Sequence, residues 1–447
     1  MNSRHLAVTG AALAGALLLA GCGSSGSTGT GGKPAGASGS AGSPGAAAAG
    51  KVDLTFWAWD PGMDKVVALW NAAHPDIHVT LSNPAGGDQL VSKMITAHQA
   101  KHGPDIAKVE YQSLPGLVAN GVVRDITADT AKAVADFDDT TLEAVRFQGK
   151  VYGIPQDFAP LMLFYRADLF KKYGLAVPTT WDQYAQEATT LHQKDPSAYM
   201  TNFDAADPGW FTGLAQQAGA DWWTTKGDSW HVDINGAPTK KVADYWQGLV
   251  DKGVVQKNPS FSPQWNKEMN SGTLATWISG AWAPAQIGGI APSTSGKWAV
   301  APLPAWTAGS NTTGIWGGSA VTVTTDSAHP VQAAEFVSWL NTDSTALTAQ
   351  VKDINIYPAA TSGRSLPVLS TPPAFFPNQP DYYTQVKNAA PGARSFSMWG
   401  PDVTVTFAAY SDRFGAALQH GTSFDAALDA IQNSTTTDMK KLGFGLY

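Results

Sequence analysis

The sequence predicts an α/β protein built as two domains behind an export leader. Three observations predict it. From about residue 52 onward, β-rich segments alternate with segments of helical period. The 447 residues are too many for one ordinary domain and suit two. Hydrophobic residues make up 43% of the chain, enough for sizeable cores, so wholesale disorder is excluded.

The elements follow in order. Residues 52–59 (VDLTFWAW) are β-rich and mostly apolar, as a buried parallel strand should be. Asp60, Pro61 and Gly62 break the strand, and Met63, Val66, Val67 and Trp70 recur at helical spacing. A second strand is predicted at 77–81. Asp88 is the expected N-cap of a helix that aligns Leu90, Val91, Met94, Ile95 and His98 on one face. A third strand at 104–109 and a helix at 113–120 complete a βαβαβ unit. That order implies a doubly wound sheet which binds ligand at the carboxyl ends of its strands. Trp59 and Asp60 lie at one such end, Glu110 and Tyr111 at another.

Farther along, 148–151 reads as a tight hairpin, 161–165 as a strand, and 168–173 as a helix stopped by Gly174. The PTTWD run at 178–182 caps the next helix. A long mixed section includes a strand at 274–278. A strand at 319–324 precedes a helix at 330–340 with Ala333, Phe336, Val337 and Leu340 inward, and another helix is expected at 423–432. No repeat of 20–50 residues recurs, so a solenoid or propeller is not expected.

The first 50 residues read as address and tether. Residues 6–20 form an apolar stretch too short to span a bilayer comfortably, as in a signal peptide over 1–21. The stretch ends in Leu19, Ala20, Gly21 and Cys22, a run that resembles the lipobox of bacterial lipoproteins and marks Cys22 for lipidation. Cys22 is the only cysteine, so no intramolecular disulfide is available. Residues 23–50 contain 10 Gly, 7 Ala and 6 Ser and no side chain fit for a core, which makes 22–50 a flexible linker. Its random-coil reach is roughly 30 Å. The expected location is therefore outside the cytoplasm, on the outer face of the cell membrane.

Composition narrows the function. The net charge is −7 with no basic block, which argues against a nucleic-acid partner. The chain has no nucleophile elbow, no phosphate-binding loop and no HExxH helix, so neither catalytic machinery nor a cofactor is expected. Two histidine pairs at helical spacing, His74 with His78 and His98 with His102, lack a third ligand, and no metal site is expected. Trp is the outlier at 17 residues, beside 12 Tyr and 17 Phe.

The order of short motifs carries a resemblance. LTFWAW at 54–59, GPDI at 103–106, GKVYGIP at 149–155, LFYRADLF at 163–170 with Gly174 and PTTW at 178–181, GAW at 280–282, GG at 317–318 and AAEF at 333–336 recur in this sequence, with FDAAL at 424–428 as an echo. Together, and behind a lipobox, they resemble the extracellular solute-binding proteins of sugar ABC importers, the group that includes maltose-binding protein. The resemblance implies a two-lobe periplasmic-binding-protein-like fold, with discontinuous lobes, hinge strands and a ligand cleft between them. Lobe I is expected from 51–159 plus 305–356 and lobe II from 160–304 plus 357–447, with crossings at 157–161, 301–306 and 354–358. It also implies ABC permease subunits as partners, an ATPase supplied by another chain, and a monomer.

The cleft chemistry follows from the cargo. Sugar rings offer C–H patches on which Trp stacks, and hydroxyls that carboxylates and amides bind. Trp59, Asp60, Glu110, Tyr111, Asp157, Trp210, Trp282, Trp316, Gly318 and Trp399 are the candidate ligand-binding residues. Trp57, Trp181 and Trp277 are assigned to packing, and Arg364 and Arg394 to solvated loops. An oligosaccharide is the expected cargo. Two alternatives stay open: an exported glycoside hydrolase using a carboxylate pair, and a polyamine receptor of the same fold.

Overall fold

The structure, a computed structural model, describes residues 51–447. The leader 1–21, Cys22 and the linker to residue 50 lie outside the described residues. Two sheets organise the rest. The strands of the first are β1 (Val52–Trp57), β2 (Ile77–Ser82), β3 (Ile106–Glu110), β4 (Ile154–Asp157) and, much later in the chain, β8 (Ser319–Val323). Their spatial order is β2-β1-β3-β8-β4. β1 pairs in parallel with β2 and β3, whereas β8 runs antiparallel to both β3 and β4. β3 is buried on both faces apart from Glu110 at its end, which is why it reads as an apolar run interrupted only by Lys108.

The second sheet is a three-stranded antiparallel one. β5 (Leu161–Arg166) is flanked by β6 (Thr276–Gly280) and β7 (Trp298–Pro302). Each sheet has its own core. Around the first, Phe56, Trp70 and Phe336 meet edge to face at 5.3–5.5 Å. Around the second, Phe203, Trp181, Trp210 and Trp246 form a larger aromatic cluster. The Trp surplus goes mostly here: Trp181, Trp222, Trp223, Trp246, Trp265, Trp277 and Trp298 are all fully buried.

Three segments connect the two lobes side by side. Phe158 N–H donates to the Tyr357 carbonyl at 2.9 Å, Ala359 N–H to that of Gln156 at 3.1 Å, and Trp316 N–H to that of Ala159 at 3.2 Å. The second of these crossings differs from expectation. Residues 298–302 are a strand of the second sheet, and Trp306 packs on Trp181 and Tyr245 of the second core. Thr313 and Gly314 still pair with Ala393 and Arg394, so the chain changes sheet between Gly314 and Ser319 rather than at 301–306. Trp306 holds the intervening loop to the second lobe, and the Pro-rich sequence there gives no sign of it.

Local expectations differ by small shifts. The helix after β2 is Gly87–Gln99, capped by Gly86 without a side-chain hydrogen bond, so the cap precedes Asp88 by two residues. The strand expected at 274–278 is displaced to Thr276–Gly280. The helix expected at 423–432 continues to Lys441, with the Ser423 hydroxyl accepting from Ala426 N–H. Thr180 caps Trp181–Lys194 and Gly174, at φ +58°, ends Ala167–Tyr173, both as the sequence indicates.

Candidate ligand-binding cleft

The carboxyl ends of β1, β3 and β4 face a cavity of about 250 Å³. The turn after β1 places Trp59 and Asp60 there, β3 contributes Lys108 and Glu110, and β4 ends on Asp157. The other lobe supplies Asp207, Phe261, Trp282 and Gln286, and the second crossing adds Trp316, Gly317, Gly318 and Ser319. Register explains the convergence. Ser319 lies opposite Glu110 on one side and Asp157 on the other, and a bulge follows it before Ala320.

The polar groups form a linked set. Lys108 Nζ donates to Asp60 Oδ1 at 2.5 Å, with the side chains 3% and 9% exposed, and lies 4.8 Å from the Trp59 ring centroid. Asp60 Oδ2 is buried and meets no donor among the described residues. Ser319 Oγ donates to Asp157 Oδ1. Burial pushes the Asp157 carboxyl above the usual carboxylate range, and the Lys108 charge opposes that rise. Gln112 Nε2 donates to Glu110 Oε2 at 2.6 Å.

The aromatic wall is held by glycines. Trp282 Nε1 donates to the Trp316 carbonyl at 2.9 Å, and the two rings meet at 5.0 Å and 69°. Trp277 backs both rings at 5.6 and 5.9 Å. A Cβ on Gly280 would sit 2.3 Å from Trp282 Nε1, so the glycine of the GAW motif makes room for the indole. Gly318, at φ +88°, has the Tyr111 ring 2.9 Å from where its Cβ would be. Tyr111 Oη in turn donates to the Asp157 carbonyl at 3.1 Å.

The structure thus gathers Trp59, Asp60, Glu110, Asp157, Trp282, Trp316 and Gly318 around one cavity. Three candidates fall elsewhere. Trp210 is 3% exposed and packs on Trp246 at 4.9 Å and Phe203 at 5.7 Å. It is a core residue because Asp207 caps its helix at the cleft and the chain turns Trp210 inward. Tyr111 is buried behind Gly318, and Trp399 packs on Phe396 and Trp223; both line a second, smaller cavity. Arg364 is not a free loop residue either: it donates to Asp138 Oδ2 at 2.9 Å and to the Ala359 carbonyl at 2.8 Å.

Sequence reasoning missed Lys108, Asp207, Phe261, Gln286 and Ser319. A lysine within the apolar run of β3 was the available signal for Lys108, since a buried ammonium demands a partner. Phe261 carries none in sequence. In the structure it is 43% exposed with φ +64°, an uncommon backbone state for a bulky residue. Among the described residues no helix is long and apolar enough to cross a membrane.

Known proteins resemble this chain in sequence and in fold. The sequence profile of bacterial extracellular solute-binding proteins matches residues 32–346. An arabinooligosaccharide-binding protein of Bacillus subtilis (strain 168) is 25% identical over 307 residues, covering 65% of this chain and 69% of its own. A binding protein associated with an ABC transporter of B. animalis subsp. lactis Bl-04, solved with beta-1,6-galactobiose, superposes with TM-score 0.81 at 25% identity, covering 89% of this chain and 99% of its own. The galacto-N-biose/lacto-N-biose I-binding protein of Bifidobacterium longum, solved with lacto-N-biose, gives the same TM-score and coverage at 29% identity.

Proposed function

Since the chain belongs to the family of bacterial extracellular solute-binding proteins, we propose that it captures a neutral oligosaccharide in the cleft and delivers it to an ABC importer. The observation that carries the reading is the meeting of Trp282, Trp316 and Phe261 with the carboxylates of Asp60, Glu110 and Asp157 around one cavity. Aromatic faces suit the C–H patches of a sugar ring, and carboxylates suit its hydroxyl donors. Asp60 Oδ2, buried without a donor among the described residues, is a ready acceptor for such a hydroxyl. Lys108 lies inside the same cluster and offsets its negative charge, which favours a neutral cargo over a polyamine.

The finer assignments belong to the same reading. Trp59, Glu110, Asp157, Trp282 and Trp316 contact the ligand, and the three crossing segments act as the hinge on which the lobes close. The leader 1–21 is removed on export, and Cys22 carries a lipid that holds a monomer at the outer face of the membrane. The permease recognises the closed form, and the chain itself performs no covalent step.

The test is a titration of the purified full-length protein with neutral oligosaccharides, monosaccharides and polyamines, followed by intrinsic Trp fluorescence. Saturable change with a sugar recovered intact, and a smaller radius of gyration by X-ray scattering, is the expected result. A cleaved sugar would establish a hydrolase instead. Response to polyamines alone would make the carboxylates charge partners.

A further inference from the structure

Phe261 reaches the cleft from a turn on the surface. Along 257–262, Lys257, Pro259 and Phe261 are exposed, and Asn258, Ser260 and Ser262 are half-buried. The Phe261 ring meets Trp265 at 5.5 Å and Trp277 at 5.8 Å. Its backbone, at φ +64°, is one that a bulky residue adopts only when its neighbours impose it.

The imposing neighbour is Asp204. Its Oδ2 accepts from the Ser260 N–H at 2.7 Å, one residue before Phe261. Its Oδ1 accepts from the Ala206 N–H at 2.9 Å, in the stretch that leads to Asp207. Asp204 is 2% exposed, and its carbonyl accepts from the hydroxyl of Tyr410, a residue of the second core, at 2.9 Å. The carboxylate thus ties a residue anchored in the core to a turn that is not. Asn202 secures the ends of that turn: its Nδ2 donates to the Asn258 carbonyl and its Oδ1 accepts from Trp265 Nε1, both at 3.0 Å.

Packing alone does not call for a carboxylate here. Among the described residues no cation pairs with Asp204, and a buried unpaired charge is costly to desolvate. Burial pushes its pKa up, and hydrogen bonds from Ser260, Ala206 and Asp207 oppose the rise. What the carboxylate offers is two acceptor oxygens with no donor between them. Asparagine has the same shape but would aim its NH2 at one of the two N–H groups.

We propose that Asp204 is a positioning residue for the cargo. From the core it holds the Ser260 N–H, and through it the strained Phe261, so that the ring stands in the cleft before a sugar arrives. Ordering the ring in advance removes that cost from binding. The proposal rests on the carbohydrate reading above and deepens it.

A double-mutant cycle provides the test. Full-length wild type, Asp204→Asn, Phe261→Asn and the double variant are titrated calorimetrically with lactose, cellobiose and maltotriose. Asp204→Asn is expected to weaken binding about tenfold. Acting through Phe261, it should add no more than about threefold to the loss in Phe261→Asn. Losses that multiply, to about a hundredfold, overturn the proposal, as does wild-type affinity in folded Asp204→Asn. A change in stability alone leaves these ratios where they are, because affinity is read on folded protein. Hydrogen exchange resolved to single amides, on the wild type, needs no variant to fold. Protection of the Ser260 amide is expected, and exchange at the rate of a free loop overturns the proposal. Silence toward every neutral sugar defeats the carbohydrate reading, and this proposal with it.

Discussion

Lys108 Nζ and Asp60 Oδ1 form a nearly dry ion pair at the floor of the cleft, 2.5 Å apart, joining β3 to the turn after β1. Removing one partner strands the other charge. Lys108→Met is therefore expected to cost roughly 3–5 kcal/mol of stability. Replacing both, Lys108→Met with Asp60→Leu, should restore most of it while sugar affinity remains lost. Urea denaturation and calorimetry on the same samples read the two effects separately; recovery of affinity in the double variant would exclude Asp60 from ligand contact.

Trp282 and Trp210 should part company under the same substitution. Trp282→Ala removes a face of the cleft and should weaken binding more than tenfold, with the far-ultraviolet dichroism unchanged. Trp210→Ala opens the core beside Trp246 and should cost about 3–5 kcal/mol of stability, with affinity of the folded protein within about threefold. Melting curves and ligand titrations on both variants decide the assignment.

Phe261 spends backbone strain to present its ring at the cavity. Asn tolerates the left-handed region and lacks the ring. Phe261→Asn should thus leave the melting temperature unchanged or slightly higher and weaken sugar binding about tenfold. A lower melting temperature with native affinity would make Phe261 a packing residue.

Asp402 supplies the pH dependence. Both carboxylate oxygens are buried without partners among the described residues, and burial pushes its pKa up to about 7, with Asp438 adding to the rise. The folded state therefore binds a proton that the unfolded state releases near pH 4, so stability is lost as pH climbs from about 4 to 7 and is level above that. Asp402→Asn should abolish this slope. It should also raise stability at pH 8 by a few kcal/mol, because each pH unit between the folded and unfolded pKa is worth about 1.4 kcal/mol. Urea denaturation at pH 5 and pH 8 provides the measurement.

Much of the first lobe was legible because its rules are local. Alternation of apolar strands with helical spacing gives β1 to β3 and their helices, and strand ends give Trp59, Asp60 and Glu110. Trp282 and Trp316 were legible through the glycines beside them. What stayed hidden depends on distant packing. Trp210 and Trp306 look like loop aromatics until the second core closes over them, and the crossing moves to 314–319 as a result. Lys108 hides within a strand pattern because its partner lies 48 positions earlier. Phe261 owes its place to a backbone turn that no residue type announces.

Tyr111 and Gly318 have a consequence for how this chain can diverge. The phenol ring fills the space that a side chain at 318 would need, and the left-handed backbone there rejects one independently. Any single codon change at 318 meets both penalties at once, and a smaller residue at 111 relieves only one of them. Variation in cargo must then accumulate in the segments that carry Phe261, Gln286 and Asp207, while the two positions are inherited as a unit.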